Sequence, residues 1–325
     1  MKEVLTQDAV GMKLFCDLTQ ITTKEGKIAR FRRGHIVQKE DVEVLLSMGK
    51  RHLFVYDERG LQGFLHEEDA AAVLAEVCAG GGVSFGAPKE GKIELKAEFD
   101  GFLSVDEAAV LGLNLCESVV VSTKHSGFVK KGELVAAVKV VPLFVKEELM
   151  RGVRQDFSGR CVLQVLPFVL QEFGLVVTGS EVKSGLIEDK FAPLMAEKLA
   201  SFGLRQVEET IFAGDDEAEV AGAIERLKAA GAKVVFATGG MSVDADDVTP
   251  KAVAKCVCEV VSYGVPVLPG AMMMLGYFPA GVVLGVPAGV VFSPKSALEV
   301  LLPRVLAGVK VTKKEIASLG YGGLL

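Results

Sequence analysis

The stretch Val234-Val235-Phe236-Ala237-Thr238-Gly239-Gly240-Met241-Ser242-Val243-Asp244-Ala245-Asp246-Asp247-Val248-Thr249-Pro250 decides how the chain is read. Its first four residues are continuously apolar, the composition of a strand buried on both faces of a parallel sheet. The strand runs into a Gly-rich turn. Thr249-Pro250 then offers a helix-capping residue followed by proline at the first helical position. Strand, turn and helix in this order make half of a parallel α/β unit. Glycines let backbone N–H groups approach a ligand closely and hydroxyls add donors, which suits a phosphate or a polar ring system.

The same grammar extends in both directions. Upstream, Gly174-Leu175-Val176-Val177 predicts a strand that ends in a second Thr-Gly turn, Thr178-Gly179-Ser180-Glu181. Lys190 to Phe202 predicts a helix stopped by Gly203, and Arg205 to Phe212 a strand. Asp216 to Ala230 reads as a helix capped by Asp215. Downstream, Ser293-Pro294 repeats the capping device before a helix over Lys295 to Ala307. The fold class is therefore α/β from about residue 161 to 325, a mostly parallel sheet with helices covering it. Ligands of such sheets sit at the carboxyl ends of the strands. The paired aspartates Asp246 and Asp247 follow one such end, and Asp189 opens the helix after the other. A carboxylate beside a phosphate-binding turn can hold Mg²⁺ or position a nucleophile, whereas Asp189 is equally placed to cap its helix.

Before this domain the pattern differs. Residues 1–80 read as a small mixed α/β unit, with a helix at Asp41 to Met48, a strand at His52 to Tyr56 and a connecting helix at Glu67 to Ala79. Gly80-Gly81-Gly82 marks a boundary. Residues 81–150 read as a β-rich domain, a small barrel or sandwich, because Lys92 to Ala97 and Leu134 to Val140 alternate at period two and Val119 to Val121 adds a third run. The charged residues 146–160 read as a linker. The basic run Arg30-Phe31-Arg32-Arg33-Gly34-His35 reads as a solvated turn, and His125 as a surface turn residue.

Composition narrows the function classes. The chain has 325 residues, half of them hydrophobic, and a formal net charge of −6, which argues against general nucleic-acid binding. Mean hydropathy is high at +0.37. Much of it comes from the uncharged stretch Val260 to Pro294, but Pro266, Pro269, Pro279, Pro287 and Pro294 interrupt it too often for a membrane helix. That stretch reads instead as two strands, Val265 to Leu268 and Val282 to Val286, ending at Pro269-Gly270 and Pro287-Ala288-Gly289 beside the Thr-Gly turns. Met272-Met273-Met274 reads as core or pocket lining. The six cysteines lie among apolar neighbours with no Cys-x-x-Cys spacing, and Cys256 and Cys258 fall on an expected helix. They read as buried reduced thiols of a cytoplasmic protein. The first residues lack the apolar run of a signal peptide.

The chain from about Gly174 to Gly308 resembles the molybdopterin-binding domain shared by molybdenum insertases and molybdopterin adenylyltransferases of molybdenum-cofactor synthesis. The resemblance rests on Val177-Thr178-Gly179-Ser180-Glu181-Val182 with Gly185-Leu186-Ile187-Glu188-Asp189-Lys190, on Thr238-Gly239-Gly240-Met241-Ser242 with Asp247-Val248-Thr249-Pro250, and on Pro269-Gly270. It implies a three-layer α/β/α domain. It also implies that Thr178, Gly179 and Ser180 border a pterin, and that Thr238, Gly239, Gly240, Met241 and Ser242 bind it or its phosphate. Pro269, Gly270, Pro287, Ala288 and Gly289 would form one wall. Asp189 and Asp247 match aspartates the family uses functionally, with Mg²⁺ at Asp247 and its neighbour Asp246. Homo-oligomerisation is implied as well, and molybdate and a recipient molybdoenzyme are partners of the family's chemistry.

Asp8-Ala9-Val10-Gly11-Met12-Lys13-Leu14 with Asp17-Leu18 is similar to the insertase's opening segment. The insertase's Asp-Gly-Tyr-Ala stretch is missing. Its Pro-Gly-Lys-Pro reads Pro269-Gly270-Ala271-Met272 here, and its Leu-Pro-Gly-Asn-Pro reads Val286-Pro287-Ala288-Gly289-Val290. A lysine and an asparagine that could act on molybdate or phosphate are thus absent, so pterin binding is better supported than molybdenum insertion. Molybdotransferase or adenylyltransferase activity and non-catalytic carriage or sensing of the cofactor both stay open. So does a nucleotide-metabolite hydrolase acting on ADP-ribose-type substrates, because the competence/damage-inducible family shares the domain and its paired aspartates.

Overall fold

A computed structural model of the protein describes residues 1–22, 26–57, 62–242, 244 and 247–325. The chain divides into two units. The first comprises Met1–Phe99, Leu103–His125 and Lys130–Val165, and the second Asp100–Phe102, Ser126–Val129 and Leu166–Leu325.

In the first unit, Lys2–Leu5 pairs antiparallel with His52–Val55, and Leu18–Thr22 with Gly26–Phe31. A small core of Val4, Ala9, Leu14, Phe31, Val37, Leu45, Leu53 and Val55 joins them to the helix Asp41–Ser47. Four strands form an antiparallel sheet in the order Val83–Phe85, Lys92–Ala97, Leu134–Val140, Val119–Thr123. The period-two runs are thus strands as expected. The 146–160 linker is not: Glu147–Asp156 is a helix. Its charge masked an apolar stripe, Met150 and Val153, that is buried at helical spacing. The basic run differs too. Arg33 is not a solvated turn residue. Its guanidinium donates to the Tyr56 hydroxyl at 2.8 Å, to Glu68 at 3.1 Å and to Asp69 at 3.2 Å. Burial works against the cation, but these partners prevail and raise the Arg33 pKa above its ordinary value.

His66 is the buried polar pivot of this unit, with 1% of its surface exposed. Its Nδ1 accepts from the Glu68 amide at 3.2 Å and so caps the helix Glu67–Cys78, while its Nε2 lies 2.8 Å from the Phe15 carbonyl. Those partners assign a neutral ring with the proton on Nε2. Burial and then the Arg33 charge hold its pKa below 6.5, against the opposing pull of Glu68 and Glu67. A depressed native value means that the unfolded chain takes up the proton first. The stability contribution is therefore complete above about pH 6.5 and is lost as pH falls through the native value. His66→Ala is expected to cost about 2 kcal/mol at neutral pH, by losing the cap and leaving the Phe15 carbonyl without its donor. Urea midpoints at pH 7.5 and 5.5 check this: the gap between wild type and variant should narrow at the lower pH.

The second unit begins with β1 (Glu172–Thr178), α1 (Ser180–Lys183) and α2 (Phe191–Ala200), followed by β2 (Arg205–Gln206), β3 (Ile211–Ala213) and α3 (Glu217–Ala229). Then come β4 (Val234–Thr238), α4 (Thr249–Lys255), β5 (Glu259–Tyr263), β6 (Met274–Phe278) and β7 (Gly281–Val286). The last elements are α5 (Ala288–Val291), α6 (Ala297–Leu306) and α7 (Lys313–Ser318). The sheet order is β2-β1-β4-β7-β6-β5, with β3 also on β1. Strands β1, β2, β3, β4 and β7 pair in parallel, and β6 runs antiparallel to both β7 and β5.

The two faces of the sheet carry two cores. Phe173, Leu175 and Val177 of β1, Phe236 of β4 and Leu284 of β7 pack with Met195 and Leu199 of α2 and Leu298, Leu302 and Val305 of α6. Their alternating neighbours Val176, Val235, Ala237 and Val283 pack with Val220, Ile224 and Leu227 of α3 and Ala252 and Val253 of α4. This is why β1, β4 and β7 read as unbroken apolar runs: both faces are covered.

Several details differ from the sequence reading. Arg205 to Phe212 is not one strand but two short ones, Arg205–Gln206 and Ile211–Ala213. Asp216 rather than Asp215 caps α3. The uncharged stretch holds three strands, β5, β6 and β7, and Val265 to Leu268 is not one of them. Met273 and Met274 are buried, as expected of core. Cys256 and Cys258 lie beyond the end of α4, and the cysteines are not uniformly buried: Cys161 and Cys258 are exposed. Burial raises the thiols of Cys16 and Cys256 to about 11 and that of Cys78 to about 12, so these three are protonated at neutral pH. His125 is exposed, as expected. No described helix is long and apolar enough to cross a membrane.

Candidate functional site

The parallel register places the ends of three strands side by side: Val177 lies opposite Thr238, and Thr238 opposite Val286. Thr178, Thr238 and Pro287 therefore leave the sheet at one edge. A fourth strand, β5, reaches the same edge through β6, where Tyr263 pairs with Met274 and Met274 with Gly285.

Three threonines organise this edge. The Thr178 hydroxyl lies 3.3 Å from the Thr238 carbonyl and 3.3 Å from the Thr249 hydroxyl, and the Thr249 hydroxyl donates to the Gly239 carbonyl at 2.8 Å. Thr249 therefore does not cap α4, as its sequence position suggested; its side chain ties the helix start to the Gly-Gly turn. Thr238 is fully buried, and among the described residues its hydroxyl has no hydrogen-bond partner. By the alternation of β4 it lies on the same sheet face as Val234 and Phe236. A buried hydroxyl left unpaired costs about 1–3 kcal/mol, so its retention at a strand end points to a ligand.

The glycines of the turn are structural requirements. Gly239 has φ +93°, and a Cβ there would stand 2.4 Å from the Thr178 carbonyl oxygen. Gly240 has φ +54°, and its Cβ would stand 2.9 Å from the Thr249 hydroxyl and 3.7 Å from Asp247 Oδ1. The turn thus brings backbone within van der Waals reach of hydroxyls and a carboxylate.

Asp247 Oδ2 accepts from the Asp244 amide at 3.0 Å, and the Asp247 amide donates back to the Asp244 carbonyl. Asp246, read as a second metal ligand, lies outside the described residues. Among the described residues no group of three or more His, Cys, Asp or Glu could hold a metal. The Tyr263 hydroxyl reaches the Ser242 carbonyl at 3.4 Å; burial, then the Asp247 charge, raises its pKa. Sequence reasoning missed Tyr263, because it sits on a strand that the stretch's prolines obscured.

The other residues read from the sequence fall as follows. Ser180 is exposed; its amide donates to Asp215 Oδ2 at 2.9 Å and its hydroxyl accepts from the Asp215 amide at 3.2 Å. They border a polar cleft of about 400 Å³ that also involves Lys183, Gly214, Asp216 and Glu219. Gly179 precedes it with φ +137°. Asp189 caps α2, accepting from the amides of Phe191 at 2.8 Å and Ala192 at 3.2 Å. Ser242 is exposed, but Met241 is buried against Gly285 and Met274, so ligand contact there is left to its backbone. Pro287, Ala288 and Gly289 continue from β7 into α5 and lie at the same edge. Pro269-Gly270 packs against α5 and α6: the Ala297 amide donates to the Pro269 carbonyl at 3.0 Å, and a Gly270 Cβ would stand 3.0 Å from Val290.

In parallel α/β sheets of this kind the carboxyl edge of the strands, here lined by Gly-rich, hydroxyl-bearing turns, is where ligands bind. Residues 174–317 match the family described as probable molybdopterin binding domain. Residues 3–57 match a domain of unknown function (DUF8806). A CinA-like protein of Mycobacterium sp. (strain MCS) is 35% identical over 82 residues, 25% of this chain and 19% of its own length. The match therefore spans about a fifth of that relative. The tungsten cofactor synthesizing protein MoaB of Pyrococcus furiosus aligns with a TM-score of 0.33 and 20% identity, over 48% of this chain and 98% of its own. CinA of Thermoplasma acidophilum aligns with a TM-score of 0.31 and 14% identity, over 47% and 97%.

Proposed function

We propose that the C-terminal domain binds a phosphorylated pterin of the molybdopterin type at the carboxyl ends of β1, β4 and β7. The observation that carries this reading is the buried, unpartnered Thr238 hydroxyl beside a turn whose glycines admit close approach. In this reading Thr178, Gly179, Ser180, Thr238, Gly239, Gly240 and Ser242 contact the ligand, and Thr178 and Thr249 hold the turn in shape. The role is binding and presentation of the pterin. The absence of the insertase's lysine and asparagine near Gly270 and Gly289 supports that role over molybdate transfer.

Among the described residues, Asp247 is the carboxylate beside Gly240. Oδ2 is engaged by the Asp244 amide, which leaves Oδ1 beside Gly240. One carboxylate together with ligand phosphates is a common way to hold magnesium, so the residues fit that ion. Bound there it would neutralise phosphate charge. Titration of the purified protein with molybdopterin, with and without Mg²⁺ and molybdate, tests the proposal. Saturable binding is expected, tightened by Mg²⁺. Asp247→Asn should keep the fold and abolish the Mg²⁺ effect; a variant that still gains from Mg²⁺ removes Asp247 from the metal role.

The similarity to CinA-like proteins favours a second reading, in which the same turn takes the diphosphate of an ADP-ribose-type metabolite and hydrolyses it. Release of nucleoside monophosphate from ADP-ribose, with no pterin binding, would establish it in place of the first.

A further inference from the structure

The strand-end site has a second side, made of rings rather than hydroxyls. Phe191, the first residue of α2, packs edge-on to Phe292, which follows α5, with centroids 5.5 Å apart and planes at 62°. Phe292 is 56% exposed. Exposed Leu186 and Ile187 belong to the segment between α1 and α2, and their amides fold back onto the Glu181 carbonyl. Phe191 packs against the same core cluster as Val177, Val286 and Val290, which stand next to the end of β1, at the end of β7 and within α5. The rings therefore lie on the sheet face to which the Thr238 hydroxyl turns.

Both rings are held in place by groups that also fix the helices beside them. Asp189 accepts from the Phe191 amide, which fixes the start of α2. Lys198 has a side chain only 12% exposed; its Nζ donates to the Ser293 carbonyl at 2.7 Å and pairs with Glu299 at 2.6 Å, which pins the residue after Phe292. An ordered phenylalanine with an exposed face offers a flat apolar surface on which another ring can stack.

We propose that Phe292, set by Phe191, Asp189 and Lys198, is the platform on which the flat heteroaromatic ring of the ligand stacks while the Gly-Gly turn takes its phosphate. This inference rests on the pterin reading above. It divides the site into an anion half, read by amides and hydroxyls, and a ring half, read by an aromatic face. Asp189 acts in it as a positioning residue, through Phe191. Ring stacking on an aromatic side chain commonly contributes enough to change affinity about tenfold or more on removal.

The test compares wild type, Phe292→Ala, Phe292→Leu and Phe292→Tyr in equilibrium titrations with a phosphorylated oxidised pterin, each with inorganic phosphate as competitor and each checked for mass by light scattering. Phe292→Ala and Phe292→Leu are expected to weaken the pterin about tenfold, Phe292→Tyr to restore it, and phosphate competition to stay at its wild-type concentration. Unchanged pterin affinity in Phe292→Ala overturns the platform while leaving the binding reading intact. Full affinity in Phe292→Leu, or equal weakening of phosphate, also overturns it, as does a change of oligomeric mass, which would make the patch a subunit contact. Wild type that binds no pterin overturns both readings together.

Discussion

Replacement of Gly239 by valine is expected to abolish ligand binding and to lower the stability of the C-terminal domain by about 3 kcal/mol. Two physical terms add. The residue has φ +93°, where a β-branched side chain is strained, and its Cβ would stand 2.4 Å from the Thr178 carbonyl and 2.6 Å from its hydroxyl. Thr178 cannot yield cheaply, because its backbone belongs to β1 and its hydroxyl is held between the Thr238 carbonyl and Thr249. The turn would have to leave the strand end, taking the Gly240 and Ser242 amides with it. Thermal unfolding should show a fall of about 10 °C, at about 2–4 °C per kcal/mol for a domain of this size. Gly240→Ala separates fold from function if the valine variant does not express. Its φ of +54° lies in the left-handed region that alanine tolerates at a cost near 1 kcal/mol. Its methyl would nevertheless press on Thr249 at 2.9 Å and enter the ligand's approach, so binding should fall at least tenfold with a smaller loss of stability than in the valine variant. A Gly240→Ala protein that binds as wild type would remove the turn from the site.

The turn was legible because its physics is local: a buried apolar run, two glycines and a hydroxyl-rich exit announce themselves in consecutive residues. The strands β1, β4 and β7 were legible for the same reason. What escaped was non-local. Strand β6, Met274–Phe278, lacks β-branched residues and contains Gly276, so its strand signature is weak despite Tyr277 and Phe278. Gly276 is required there because Val257 approaches from outside the strand, and a Cβ would stand 2.8 Å from Val257 Cγ2. Pro279, one of the prolines that break up the uncharged stretch, lies in the hairpin turn between β6 and β7, where Phe278 pairs with Gly281. The sequence reading chose Asp215 as the cap and the structure uses Asp216, while Asp215 is engaged by Ser180, 35 positions away, a contact that no local pattern displays. Asp189 had a capping and a functional reading in the sequence. The structure displays the cap, and the cap is what sets Phe191 at the edge of the site.

Thr238→Val should do the opposite of most buried substitutions: raise stability and weaken binding. The hydroxyl is wholly buried with no partner among the described residues, so its desolvation is uncompensated in the ligand-free protein. Valine has nearly the same shape, prefers a strand, and removes the unpaired group. A gain of about 1–2 kcal/mol is expected, seen as a rise of a few degrees in the thermal midpoint. The lost hydrogen bond to a charged ligand oxygen is of the kind that contributes about 1.5–3 kcal/mol, so phosphopterin affinity should fall between about tenfold and a hundredfold. Thr178→Val is the contrast. That hydroxyl already bonds the Thr238 carbonyl and Thr249, so removing it should cost stability as well as affinity. Opposite signs in the two melting shifts, with affinity reduced in both, are what a strand end kept unsatisfied for its ligand demands. If Thr238→Val melts lower than wild type, the hydroxyl has a partner inside the protein and the strongest argument for the site is gone. Thr178 and Thr238 both end strands, but of the two only Thr238 turns its hydroxyl to the face of the exposed rings and leaves it without a partner among the described residues.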